Sequence, residues 1–319
     1  MKFRNRVYGV VGIRGIMSNW NADFSGRPKT TSKNNIFGSD KALKYPIKYQ
    51  WVNEGEKVLY IKSYKEEKDK IQPRSLKERY EHIFDTKLDK KAKPREVLSN
   101  LFSAVDVMNF GATFAEENQN ISITGAVQIG QGMNIYDDTR IEIQDILSPF
   151  RNPKAKAKKD DEEIERSQSS IGTKIVADET HYCYPFVVNP FAYDEYAHII
   201  EGFEGYSKEM YEKFKDGALR AATAFATNSK FGCDNEYAVF IKMNEESKLS
   251  LPNLASFIGF EKGDKKDILN LRSLNDILTE KVLEEIQEIE IYIDPFNLEL
   301  NGLKLEKAKV MNIFTREVI

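Results

Sequence analysis

Arg6-Val-Tyr-Gly-Val-Val-Gly-Ile-Arg-Gly-Ile-Met-Ser18 reads as a β-strand. Val7, Val11, Ile13 and Met17 share one face at the two-residue period, while Arg6, Tyr8 and Arg14 share the other. The alternation predicts an apolar core face and an opposite face bearing cations and an aromatic, and a strand aromatic on an open sheet can stack bases. Residues 19–38, rich in Asn, Ser, Gly and Lys, read as a long loop. Ser39 and Asp40 read as the cap of a helix over about 40–52, in which Leu43, Ile47 and Trp51 recur at i, i+4 and i+8. Pro46 predicts a kink or a later start. Lys41, Lys44 and Lys48 line up beside the apolar stripe.

Charge is divided unevenly around this opening. Residues 1–100 carry 23 Lys+Arg against 12 Asp+Glu, and the remainder carries 24 against 38. The net charge of −3 therefore hides a basic first third and an acidic rest. Such a field suits a polyanion, because phosphate neutralisation supplies most non-specific affinity for nucleic acid. The 319 residues, 41% hydrophobic, suffice for one large domain with insertions or for two ordinary ones, and exclude wholesale disorder. Cys183 and Cys233 suit a reducing compartment, with no disulfide framework and no CxxC metal site. With no apolar run of spanning length and no leader pattern at the start, a cytoplasmic protein away from membranes is expected.

Further along, residues 53–97 read as a charged insertion with a short strand at Val58–Ile61 and a helical piece near Leu76–Phe84. A second core section, Leu101–Ile135, places Asp106 in a strand-like context and carries glycines at 111, 125, 130 and 132, which mark bulges or close backbone approach. Residues 136–180 read as a protruding arm, with strand-like Thr139–Ile143 and Lys174–Val176 flanking the unpatterned Arg151–Ser170. Strands follow at Tyr182–Val188, Glu236–Met243 and Ile289–Ile293. Ser207 starts a helix whose buried side is Met210, Phe214, Ala218, Ala221, Ala222 and Phe225, and a second helix covers 275–287. The order fits an α+β fold better than a doubly wound sheet.

Catalytic signatures are missing. There is no GxSxG, HExxH, GxxxxGK[ST] or GxGxxG in a βαβ context, and no cofactor is expected. His82, His181 and His198 stand at no ligand spacing from another His, a Cys or a carboxylate pair, so structural roles are expected of them. Asp106 is the acid to watch, while Asp137/Asp138 read as turn residues.

Five stretches, in order, are similar to one family. They are Asn19-Trp-Asn-Ala-Asp-Phe-Ser-Gly26-Arg-Pro28 after the first strand, Gly38-Ser-Asp40…Leu43-Lys44-Tyr-Pro-Ile47-Lys48, Asp106-Val107…Phe110-Gly111-Ala112, Ile123-Thr-Gly125-Ala-Val127-Gln128…Asn134, and Ser170-Ile-Gly172-Thr-Lys174. Over about residues 6–245 the chain resembles the backbone subunit of type I CRISPR Cascade complexes, the seventh Cas protein family of the RAMP superfamily, and most closely its type I-B branch. Met108 and Tyr45 depart from basic residues common in relatives.

The resemblance implies a modified RRM/ferredoxin-like palm, one domain over 1–319, with a finger insertion at 53–100 and a thumb β-hairpin at 136–180. It implies a non-catalytic subunit that binds CRISPR RNA. Copies would stack head-to-tail beside other Cascade subunits and leave the guide free to pair with target DNA. Sequence-blind binding calls for phosphate contacts from basic side chains and loop amides. Lys44 and Lys48, with Lys41, are then expected on phosphates, and Asn19, Asn21, Ser25, Gly26 and Arg27 around the backbone or sugar. Gln128, Gln131 and Asn134 are expected to add neutral donors, and Ser170, Gly172 and Lys174 to close the groove from the thumb. Two alternatives stand beside this reading: a metal-dependent RAMP-type endoribonuclease using Asp23 or Asp106, and a protein-interaction scaffold without nucleic acid.

Overall fold

The first strand, β1 (Val7–Ser18), lies in the middle of the main sheet. The structure is a computed structural model and describes residues 1–147, 170–302 and 307–319. After β1 come β2 (Phe37–Gly38), α1 (Asp40–Asn53), the hairpin β3 (Tyr64–Glu67) and β4 (Lys70–Pro73), and the helices α2 (Leu76–Phe84), α3 (Pro94–Phe102) and α4 (Val105–Phe110). Short strands β5 (Gly111–Phe114), β6 (Ile121–Thr124), β7 (Val127–Ile129) and β8 (Gly132–Asn134) lead to β9 (Ile141–Leu147) and the long β10 (Ser170–Val188). Then follow α5 (Lys208–Ala224), β11 (Cys233–Met243), β12 (Gly259–Glu261) and β13 (Asp267–Asn270). The chain closes with α6 (Leu274–Ile277), α7 (Glu280–Glu284), β14 (Ile286–Ile293), β15 (Leu298–Asn301) and β16 (Ala308–Asn312).

The main sheet has the strand order β16-β14-β11-β1-β10-β8-β2 and is antiparallel except for the β14–β16 pair, so the architecture is mixed α/β around one large mixed sheet. β1 pairs with β10 on one side and β11 on the other. β7 and β9 join β10 towards its two ends. A small sheet, β12-β13-β15, stands apart.

Both faces of β1 are covered, which corrects the expected cationic and aromatic face. Val7, Val11 and Ile13 pack with Leu43, Ile47 and Trp51 of α1 and Phe214 and Ala218 of α5. Tyr8 and Val10 pack on the other side with Tyr237, Val239, Leu254 and Leu269. The residues that roof this second core lie some 240 positions downstream, so the local pattern had no sign of them. Tyr8 is 7% exposed, too little for a base to stack on its ring. Met17 also departs from its assignment: its backbone takes a left-handed conformation at φ 44°, and its side chain is exposed.

The expected helix over 40–52 is α1, and it continues through Pro46. Leu76–Phe84 is helical as expected, with a full capping box between Ser75 and Glu78. Val58–Ile61 is not a strand, because Leu59 and Tyr60 donate their N–H groups to the Asp106 carboxylate instead of to a neighbouring strand. Asp106 itself sits in α4, not in a strand; Met108 N–H donates to Ala104 O and Asn109 Nδ2 to Val105 O, closing the turn. The 275–287 helix is two short pieces, since Leu278 leaves helical geometry at ψ 56° to bury itself in the second core. α5 begins at Ser207, whose hydroxyl accepts from Met210 N–H. Phe225 lies beyond its end and is only half-buried, edge-on to Tyr45 and Tyr49.

The glycine-rich section behaves as its composition predicts. Gly111 has φ 79°, and a Cβ there would stand 2.2 Å from Ile123 O; one on Gly125 would stand 2.2 Å from the Phe110 carbonyl carbon. The arm is the β9–β10 hairpin, longer at both strands than predicted, and Arg151–Ser169, including the Lys154–Glu163 charge run, lies outside the described residues. Both cysteines are buried and free. No helix among the described residues is long and apolar enough to cross a membrane.

Candidate nucleic-acid interface

α1 presents its lysines because Leu43, Ile47 and Trp51 are fully buried and fix the rotation of the helix. Lys41 is exposed. Lys44 pairs with Asp40 one turn back at 2.9 Å and lies 5.3 Å from the Phe110 ring. Lys48 reaches inward, with its ammonium 3.3 Å from Tyr60 O and 3.7 Å from the Asp106 carboxylate. Burial holds its pKa below the ordinary lysine range, against the opposing pull of Asp106. These lysines, with Tyr45, Tyr60 and Thr113, line an open depression of about 620 Å³. The Tyr60 hydroxyl donates to Thr113 O at 2.6 Å, and burial pushes it up to about 12.

The 19–38 loop adjoins the N-terminus of this helix. Asn21 Oδ1 accepts from the N–H of the N-cap residue Ser39 at 2.8 Å, and the Ser39 hydroxyl itself makes no cap. Buried Asn19 donates through Nδ2 to Gly26 O at 2.9 Å and to Ile175 O of β10 at 3.2 Å, so it ties the loop to the base of the hairpin. Ser25, Gly26 and Arg27 form the exposed tip. That tip is shaped by Asp23, whose Oδ1 accepts from Ser25 N–H, Ser25 Oγ and Arg27 N–H at 2.8, 2.8 and 3.0 Å. The Ser25 hydroxyl and these amides hold the Asp23 carboxyl below its usual range.

Asp106 is 1% exposed, and both its oxygens are engaged at 2.8 Å, by Leu59 N–H and Tyr60 N–H. The two acids considered for catalysis therefore organise backbone, one in the loop and one beneath the lysines. On β10, Gly172 is exposed and Lys174 half-buried beside the loop contact at Ile175. Ser170 opens the strand.

Three expected neutral donors stand elsewhere. Gln128 lines a separate depression with Arg6 and Tyr8 and donates to Gly125 O at 2.8 Å. Gln131 is exposed between β7 and β8. Asn134 is consumed at the base of the arm, with Nδ2 donating to Tyr136 O and Thr139 Oγ1 and Oδ1 accepting from His181 N–H, each at 2.8 Å. The structure thus fastens the 19–27 loop both to the start of α1 and to the β9–β10 hairpin, and places Gln128 in a depression separate from that of the α1 lysines.

The family model for CRISPR-associated protein Cas7 matches residues 5–282, most of the chain. The chain belongs to the Cas7 family. No curated protein matches it. Among solved structures it is similar to a chain of a "CRISPR RNA-guided surveillance complex, pre-nicking", at 14% identity, TM-score 0.51 and coverage of 96% of each chain. It is also similar to a chain of a "CRISPR RNA-guided surveillance complex", at 15% identity and TM-score 0.47, covering 93% of this chain and 92% of that one. At such identity the first likeness speaks for the fold of this Cas7-family member alone.

Two parts of the interface escaped the sequence reading. Tyr60 and Phe110 flank the lysines, and only the quoted Phe110-Gly111-Ala112 stretch hinted at either. Lys230, an isolated lysine in a polar loop, locks the 19–38 loop from below, donating to Asn19 O at 2.8 Å and to Trp20 O. Burial pulls its ammonium down to about 8 from 10.5. Between these values the unfolded chain holds a proton the folded one lacks, so this lysine makes stability rise with pH over that window. Cys233 beside it, pushed up by burial to about 11 from 9.0, acts in the opposite sense above pH 9. The readable quantity is therefore local. In an NMR titration of lysine Cε resonances, the Lys230 signal is expected to move near pH 8. A midpoint at the ordinary value of 10.5 would show that the amine is solvated.

Proposed function

We propose that this chain is a CRISPR RNA-binding backbone subunit of a type I Cascade effector complex, of the I-B branch. Membership of the Cas7 family is the observation that carries the reading. The depression lined by the α1 lysines, with the 19–27 loop tethered to the start of that helix and to β10, supports it physically. In this reading the β1-α1-β8-β10-α5-β11 succession, with strand order β11-β1-β10-β8, is an RRM/ferredoxin-like palm. Residues 53–100 are its finger insertion and 136–180 its thumb. Because the second core roofs the sheet face where an RRM stacks bases, the guide is gripped by its phosphates and its bases remain free for target DNA.

Lys41, Lys44 and Lys48 contact phosphate, and the Ser25–Arg27 tip meets the backbone through amides and the Arg27 guanidinium. Ser170, Gly172 and Lys174 face the same strand from the thumb. Asn19 and Asn21 act indirectly, by holding the loop against β10 and α1. Copies associate head-to-tail along the RNA beside other Cascade subunits. The endoribonuclease reading gains nothing from Asp106, both of whose oxygens accept backbone amides, and Asp23 is used through Oδ1 to shape its own loop.

The test is purification with the neighbouring gene products and a guide. The expected result is a raised 260/280 nm absorbance ratio and RNA of discrete length with evenly spaced nuclease protection. RNA-free monomer at moderate salt would overturn the proposal.

A further inference from the structure

β10 and β13 belong to different sheets, yet their side chains converge at one point. Glu179 and His181 of β10 and Asp267 of β13 each offer a ligand atom, all within 4.8 Å of one another. His181 is fully buried; its Nε2 lies 3.2 Å from Glu179 Oε1 and its Nδ1 2.9 Å from Glu236 Oε2 on β11. Phe260 stacks on the imidazole with ring centroids 3.8 Å apart, so the ring plane is fixed. Lys262, from the β12–β13 connection, sets its ammonium 2.9 Å from Glu179 and 3.0 Å from Asp267.

One buried carboxylate oxygen in this arrangement is left without a partner among the described residues. Both ring nitrogens face carboxylate oxygens. A ring with one proton, kept on Nδ1 by Glu236, turns its Nε2 lone pair on Glu179. Glu236 is 1% exposed, and its Oε1 has no hydrogen-bond partner among the described residues. A buried polar atom without a partner is costly.

We infer that Glu179, His181 and Asp267 form a site for a divalent transition cation of the zinc class, with Glu236 holding the imidazole through Nδ1. Zinc takes imidazole nitrogen and carboxylate oxygen as ligands, three protein groups leave a fourth position open, and a carboxylate on the far ring nitrogen is the usual support for such a histidine. Ligand atoms on a zinc tetrahedron stand about 3.3 Å apart, and the His181–Glu179 separation is 3.2 Å. The Lys262 ammonium occupies the cation position and competes for it; its side chain is 43% exposed and free to swing aside. The bound ion pins the β12-β13-β15 sheet to β10 just below the hairpin, beside the Asn134–His181 contact. It is a brace between two sheets, independent of the RNA groove.

The full chain, stripped of metal, is titrated with zinc chloride against a chromophoric chelator, and with cobalt(II) to read the visible bands of a tetrahedral ion. One equivalent is expected to bind. Asp267→Asn should weaken binding at least tenfold. Lys262→Met, a change at a partly exposed side chain that spares the fold, should tighten it at least tenfold. Absence of uptake by the native chain overturns the inference, as does uptake by Lys262→Met alone. Binding indifferent to either substitution overturns it as well.

Discussion

Guide RNA should bind about a hundredfold more weakly, or worse, when Lys41, Lys44 and Lys48 are all changed to alanine, and the loss should be the same for every guide sequence. Each ammonium-to-phosphate contact contributes roughly 1–1.5 kcal/mol net, so three amount to two or three powers of ten. The loss is uniform because phosphates carry no sequence. The second signature is the salt dependence. Removing one ammonium from the phosphates of a single strand flattens the log–log slope by about 0.7, so the triple variant should lie about 2 below the parent. Filter binding of two unrelated guides across 50–500 mM salt reads both quantities.

The three lysines do not contribute equally. Lys41 is exposed at the start of α1 and meets a phosphate without first breaking an ion pair with Asp40 or Asp106. Lys44 must share itself with Asp40, and Lys48 sits over Asp106 at 3.7 Å, already partly desolvated. Lys48 has therefore met part of the desolvation cost before RNA arrives, but it must share its charge between Asp106 and an incoming phosphate. An unchanged slope in the triple variant would remove this face of α1 from the interface. A loss confined to one guide sequence would mean base readout and would contradict phosphate gripping.

Reading the chain as sequence is most reliable where a period and its cap reinforce each other. α1 is the clearest case, since Leu43, Ile47 and Trp51 define a stripe and Ser39-Asp40 precede it. The lysines follow from that stripe by geometry. The second face of β1 is illegible because Tyr8 and Val10 are roofed by residues near 254 and 269, and no local pattern announces a partner so distant. Val58–Ile61 and the stretch around Asp106 both read as strand from their β-branched content. One long-range fact undoes both assignments: the Asp106 carboxylate takes the amides that a strand at 58–61 would give to a neighbour. The loop asparagines show the same limit in the candidate site. Asn19 and Asn21 have the composition of an RNA-contacting loop, but their amides are used to fasten it, and composition does not separate the two uses. The Glu179–His181–Asp267 cluster is hidden for a related reason, since its ligands are two residues and then 86 residues apart in sequence.

Asp106→Ala should lower stability by roughly 3–5 kcal/mol, the largest effect expected of any single substitution around the groove. The carboxylate is 1% exposed and accepts two backbone amides at 2.8 Å while facing the Lys48 ammonium. Alanine orphans both amides and leaves a buried ammonium without its counter-charge; each fault alone is costly. At about 2 °C per kcal/mol for a chain of this length, the melting temperature should fall by roughly 6–10 °C. Asp106→Asn keeps one acceptor but no charge and should fall between. Combining Asp106→Leu with Lys48→Met should recover part of the loss, because it removes the stranded charge along with its partner. The same series separates a scaffold from a nuclease. If Asp106 were a catalytic acid, Asp106→Asn would abolish RNA cleavage and leave the melting temperature near that of the parent. A structural Asp106 predicts the reverse order of effects: RNA affinity falls only as far as the 57–61 segment and α1 lose their shared anchor, in step with the melting temperature. An alanine variant as stable as the parent would sink this account of the groove, since the anchoring of Tyr60 and the aim of Lys48 both depend on that carboxylate.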